Sequence, residues 1–212
     1  MAGAPGPLRL EQILTELRDG TRILVRPVVP EDKVLLVRGL QRLSPESRFR
    51  RFMAPIHMLT TAELKYLTEI DYVDHFAWLA LLRDRPDYAV GVGRYVRLAD
   101  EPTVAEPAIT VTDELHGKGL GTLLLGLLAV AARAAGIERF RAFVLEENRP
   151  MREILGELGA ETHHDSPGML RIDVALDPDE LPESPAGRVL RFIAGNLGTV
   201  RPPTVRLPPV PE

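Results

Sequence analysis

The sequence predicts an α/β domain of the α+β kind, with a mixed, mostly antiparallel central sheet flanked by helices. Three observations lead there. The hydrophobic period switches repeatedly between that of a strand and that of a helix along one continuous stretch. Two apolar runs, 76–82 and 88–98, are separated only by the turn Asp84 to Asp87 (DRPD), which is hairpin spacing. A glycine-rich turn at 116–121 then runs straight into a mostly apolar helix.

Taken in order, residues 8–17 carry helical spacing, so the extension 1–20 is expected to hold a short helix behind a flexible start (MAGAPGP). Residues 21–28 (TRILVRPV) alternate and are β-branched, which predicts a strand. An amphipathic helix over 30–43 has proline in its first turn. Ser44 is placed to cap a second helix over 45–52. Thr60 and Glu63 have capping-box spacing ahead of Leu64, Leu67 and Ile70. After the hairpin, a third strand over 104–112 precedes the glycine turn. Strand 140–145, helix 149–158 and strand 169–176 complete the compact unit, expected over residues 21–177. Eight of the 19 prolines fall between Pro178 and Pro211. The stretch 178–212 is therefore a proline-rich extension, with a short docked helix over 187–197 and an extended or disordered tail over 201–212.

Composition narrows the function. The 212 residues are 45% hydrophobic and 26% charged, enough for a packed core and too balanced for a disordered chain. The absence of cysteine excludes a disulfide framework, a thiolate zinc site and a cysteine nucleophile. A net charge of −4 without a basic patch argues against nucleic acid as a partner. No apolar run is long enough to span a bilayer, and no targeting segment stands out, so a cytoplasmic location without membrane contact is expected.

The turn His116-Gly117-Lys118-Gly119-Leu120-Gly121 is the most informative feature. Glycines let the backbone bend sharply and come close to a ligand. The first N–H groups of the following helix lack intrahelical acceptors and sit at the positive end of its dipole, which suits a phosphate. Lys118 adds a point charge. Neither GxxxxGK[ST] nor GxGxxG fits the spacing, and such glycines also serve simply as a tight turn.

The turn and the order of elements together resemble the GNAT superfamily of acyl-CoA-dependent N-acyltransferases. The loop resembles that family's Q/R-x-x-G-x-G/A motif, here H-x-x-G-x-G. RILVRPVVPED (22–32), LSPESRFRRF (43–52), LTEIDYVDHFAWLALL (67–82), AEPAITVTDELHGKGLGTLLL (105–125) and FRAFVLEENRPM (140–151) extend it over residues 21–176. They are similar to a bacterial subgroup near the catalytic domain of Pat-type protein lysine acetyltransferases. No counterpart of the cyclic-nucleotide-binding segment of some Pat enzymes is expected.

The resemblance implies a GNAT fold with acetyl-CoA, or another acyl-CoA, as co-substrate and no metal. It also implies that the N–H groups of Gly117, Lys118, Gly119, Leu120, Gly121 and Thr122 hold the CoA pyrophosphate beside His116. The strand segment Ile109, Thr110 and Val111 would pair with the pantetheine arm, and the N–H of Ile109 would polarise the thioester carbonyl. Asn148 matches the family asparagine that touches pantetheine. Three positions depart from the pattern. His116 replaces Gln or Arg. Leu155 stands where a tyrosine general acid is common. Pro107 sits inside a strand, which implies an edge or a bulge.

Acyl transfer to an amine needs a neutral amine, so a base must take its proton. The resemblance points to Glu106, in its A-E-x-A context, as that base; without it, a solvent-facing glutamate is the ordinary reading. The expected acceptor is a primary amine, with a protein lysine favoured by the subgroup. A small-molecule amine acceptor and a non-catalytic acyl-CoA-sensing module remain as alternatives. His75 reads as a hydrogen-bonded histidine. His163, His164 and Asp165 read as a solvated loop rather than a metal site. Arg48, Arg50 and Arg51 read as a solvated face, or else as a means of attracting acidic surfaces or the CoA 3′-phosphate.

Overall fold

The computed structural model describes residues 12–197. The expected flexible start, and the tail over 201–212, lie outside the described residues. The strands are β1 (Ile13–Glu16), β2 (Arg22–Pro27), β3 (His75–Leu82), β4 (Arg85–Arg97), β5 (Val104–Val111), β6 (Arg139–Leu145), β7 (Glu161–Ser166) and β8 (Met169–Ala175). The helices are α1 (Lys33–Arg42), α2 (Pro45–Phe52), α3 (Thr61–Thr68), α4 (Leu120–Ala134), α5 (Arg149–Glu157) and α6 (Pro185–Leu197). One sheet runs β1-β2-β3-β4-β5-β6-β8-β7. All of its pairs are antiparallel except β5 with β6.

Each face of the sheet is covered. Phe76, Trp78, Tyr95, Ala105 and Phe140 turn to one side and pack with the leucines of α4 and with Leu190 and Ile193 of α6. Ala77, Leu79, Leu81 and Val92 turn to the other, against Leu36 of α1 and Leu64 and Leu67 of α3. Because alternate residues serve two cores, β3 is buried on both faces and reads in the sequence as a continuous apolar run. The capping box is present, with Thr60 and Glu63 each accepting the other's backbone N–H. Ser44 accepts from the Ser47 N–H and opens α2.

Two expectations are corrected. Residues 13–16 are a strand, not part of a helix. The Gly20 turn (φ +83°), with Asp19 Oδ1 accepting from the Thr21 N–H at 3.1 Å, folds them back onto β2. His163, His164 and Asp165 lie in β7, not in a loop. That strand is exposed along its whole length and pairs only with β8, so no apolar face marks it. Among the described residues, no helix is long and apolar enough to cross a membrane, and no cluster of three or more His, Asp or Glu side chains could hold a metal.

Candidate active site

The site begins where the sheet opens. β4 and β5 stay in register from Gly91↔Val111 to Arg97↔Ala105. β5 and β6 pair only at Val104↔Arg139 and Ala105↔Phe140, and beyond Ala105 they diverge. Pro107 comes two residues later, opposite Tyr95, with no break in the β4–β5 register. The backbone direction explains why proline fits. Thr112 donates to Val90 O, and Val104 O accepts from Leu98, so the even-numbered residues of β5 face β4. Pro107, Ile109 and Val111 therefore turn their backbone groups into the opening. The missing N–H of Pro107 costs no β4 bond, which is the edge behaviour expected of a strand proline.

The glycine turn closes one end of this opening. Gly117 (φ +72°) and Gly119 (φ +93°) adopt left-handed backbone, which other residues reach only with strain. Gly119 is the N-cap of α4 and has no side chain to cap it. The N–H groups of Leu120, Gly121 and Thr122 are thus left for an external acceptor. Leu123 donates to Gly119 O at 3.0 Å, so the helix is already wound at its first turn.

Together these elements line a groove of about 620 Å³. Nine of the residues expected from the sequence border it: Ile109, Thr110, Val111, His116, Gly117, Gly119, Gly121, Thr122 and Asn148. His116 Nε2 lies 2.9 Å from Val111 O. Asn148 caps α5, its Oδ1 accepting from the Met151 N–H at 3.4 Å. Leu120 has its side chain wholly in the core, so only its backbone can serve the groove. The Lys118 side chain does not border the groove; it pairs with Asp19 at 3.0 Å. Leu155, at the tyrosine position, is a core residue, 2% exposed.

Glu106 is exposed and borders neither this groove nor the adjoining cavity. It shares a sheet face with Ala108 and Thr110, opposite Val96 of β4. That cavity, about 70 Å³, lies between α1 and the β4–β5 face and is walled by Leu36, Leu40, Leu43 and Phe52. Arg51 and Thr110 border both spaces. Arg94 stands in the cavity wall, 4% exposed, its Nη1 2.8 Å from His75 Nε2 and its Nη2 donating to Leu67 O.

The electrostatics follow from burial. Desolvation, then the Arg51 charge, pull Arg94 down to about 9, with Tyr66 acting in the opposite direction. Burial, then Arg94, hold His75 down to about 4, so it is neutral and its Nε2 accepts from the guanidinium. Burial likewise lowers Arg51, against the pull of Glu106, so the two side chains feel each other's charge. The expected solvated arginine face is therefore corrected. Arg48 folds onto Leu40 O and Leu43 O, Arg50 pairs with Glu46 at 2.5 Å, and Arg51 faces the site. Sequence reasoning also missed Arg18, Met151 and Ile154 in the groove wall. The helical spacing of α5 could have signalled the last two; nothing local signalled Arg18.

A sheet opened beside an uncapped, glycine-turned helix N-terminus is an arrangement suited to an extended arm ending in phosphates. The chain belongs to the GNAT acetyltransferase family: the model of the acetyltransferase (GNAT) domain matches residues 22–161. Acetyltransferase Pat of Mycolicibacterium smegmatis is 36% identical over 82% of this chain and 52% of its own. This chain thus spans about half the length of that relative. Acetyltransferase PA5475 of Pseudomonas aeruginosa is 33% identical over 68% of this chain and 77% of its own. The crystal structure of the GNAT domain of S. lividans PAT matches with a TM-score of 0.72 and 30% identity, covering 77% of this chain and 96% of that one.

Proposed function

We propose that this chain transfers an acetyl or short acyl group from acyl-CoA to a primary amine, with a protein lysine as acceptor. The observation that carries the proposal is the departure of β5 from β6 after Ala105. It leaves the Ile109 edge open beside the uncapped N-terminus of α4, in one continuous groove. The pantetheine arm pairs with that edge, the pyrophosphate takes the N–H groups of Leu120, Gly121 and Thr122, and the Nδ2 donors of Asn148 meet the arm. The N–H of Ile109 polarises the thioester carbonyl.

The acceptor comes from the side of Arg51 and Thr110. The leucine walls of the adjoining cavity suit an aliphatic stem, and the guanidinium groups of buried Arg94 and half-buried Arg51 disfavour an ammonium ion there. Glu106, directly or through a water, takes the proton as the nitrogen attacks. The new C–N bond forms, the C–S bond breaks, and CoA leaves as a thiolate. A thiol of this kind, with a pKa near that of cysteine at about 8.5, departs without a strong acid, so a leucine at position 155 is tolerated. The resemblance to Pat-type protein lysine acetyltransferases favours a lysine acceptor, and the use of acyl-CoA with no cysteine favours the cytoplasm.

The test is thiol release from acetyl-CoA with three acceptor panels: lysine peptides and folded proteins, peptides with a free α-amine only, and small amines such as polyamines and aminoglycosides. Lysine acceptors are expected to give the highest kcat/KM. A small amine turned over at least tenfold better would overturn the lysine assignment. No thiol release with any panel, from a chain that binds acyl-CoA, would leave a binding module in its place.

A further inference from the structure

Arg18 lies outside the segment matched by the family model, yet it borders the groove. It sits in the turn between β1 and β2, and its Nε is 3.8 Å from where a Cβ would stand on Gly119. This puts the guanidinium beside the left-handed N-cap of α4. Three features hold it there. Leu17, 8% exposed, is anchored in the main core and closes the turn, donating to Thr21 O at 2.9 Å. Gly20 supplies the positive φ. Asp19 grips Lys118, and that contact, with the Thr21 bonds, holds the Asp19 carboxyl down to about 2.

The pairing has a consequence for charge. Lys118, the lysine of the loop, is paired with Asp19, while Arg18 makes no hydrogen bond or ion pair among the described residues. Arg50 and Arg51 also border the groove, but from α2, where Arg50 is paired with Glu46 and Arg51 borders the acceptor cavity as well. The cation left beside the α4 N-terminus is therefore contributed by the hairpin. A guanidinium is also the better partner for a diphosphate, because its planar donors engage two oxygens at once.

We infer that Arg18 is a pyrophosphate-binding residue, and that the β1–β2 turn, latched by Asp19–Lys118, forms part of the acyl-CoA site. This rests on the CoA reading above. It assigns to the turn the phosphate contact that the sequence suggested for Lys118.

The experiment is calorimetric titration of the parent chain, Arg18→Ala and Arg18→Lys with CoA, dephospho-CoA and 4′-phosphopantetheine. Arg18→Ala is expected to weaken CoA and dephospho-CoA by the same factor, about tenfold or more, with a smaller loss for 4′-phosphopantetheine. Arg18→Lys is expected to recover part of the loss. The thermal midpoint without ligand should not move, since the side chain has no partner to lose. A loss confined to CoA would mean that Arg18 reads the 3′-phosphate and would overturn the assignment, as would unchanged affinity for all three. Failure of the parent chain to bind CoA would instead strike the underlying reading.

Discussion

His116 Nε2 lies 2.9 Å from the carbonyl oxygen of Val111, five residues back along the chain. The geometry makes Nε2 the donor, so the imidazole needs no positive charge for this bond. It ties the start of the glycine turn to the exposed edge of β5 and occupies one of the three carbonyls that face the opening, those of Pro107, Ile109 and Val111. The departure from Gln or Arg is thus a substitution of one N–H donor for another. His116→Gln, which keeps a donor, is expected to hold the KM for acetyl-CoA near the parent value. His116→Ala should raise it about two- to tenfold, the worth of one neutral hydrogen bond. Equal KM in all three would show that the bond does not organise the site.

Glu106 is expected to act on turnover and not on donor binding, because it is exposed and stands outside the groove wall. Glu106→Gln should lower kcat by about 10²–10⁴ while the acetyl-CoA Kd stays within about twofold. Turnover equal to the parent would falsify the base assignment.

The Arg94–His75 pair should give stability a specific pH dependence. The folded-state pKa of His75 is depressed to about 4, below its ordinary 6.5. The unfolded chain therefore takes up a proton on this residue first as pH falls. Its effect is nil above about pH 7, grows as pH drops through 6.5, and levels off below about 4, at a loss of roughly 3 kcal/mol at most. His75→Gln retains an acceptor for Arg94 and does not titrate. Urea unfolding of both proteins from pH 8 to 4.5 should show a shallower decline for the variant. Parallel curves would contradict the neutral buried histidine.

Gly126 is the contact point between α4 and α6. A Cβ there would stand 2.6 Å from Ile193 Cδ1 and 3.4 Å from Leu190 Cδ1. Gly126→Val should push α6 off its seat and cost about 1–3 kcal/mol despite a higher helix propensity than glycine. Protease cleavage near residues 178–187 should rise with it. Unchanged stability and cleavage would mean that α6 docks less closely than its side chains indicate.

The legible parts of the chain are those where burial imposes a pattern. β3 and β4 are buried on alternating faces, α4 is apolar, and Ser44, Thr60 and the 116–121 turn carry local chemistry that fixes helix starts. The two edge strands were hidden for opposite reasons. Residues 13–16 belong to a run whose apolar spacing also suits a helix, and the Gly20 turn with the β2 partner overrides it. β7 has no apolar face at all. Within the site, the glycine turn and His116 were readable because a motif spans them, and Asn148 only through the family resemblance. Arg94 meets His75, and Arg18 meets the Gly119 turn, only through tertiary packing, so local spacing gives no account of either grouping.

The opening between β5 and β6 is proposed as an acyl-CoA site. Its most direct test is calorimetric titration of the purified chain with acetyl-CoA, CoA and ATP. The expected result is micromolar binding of the first two and much weaker binding of ATP, since only CoA carries an arm to pair with the Ile109 edge. Absence of CoA binding, or equal affinity for ATP, would mean that the 116–121 turn serves only the fold, and would contradict the catalytic reading.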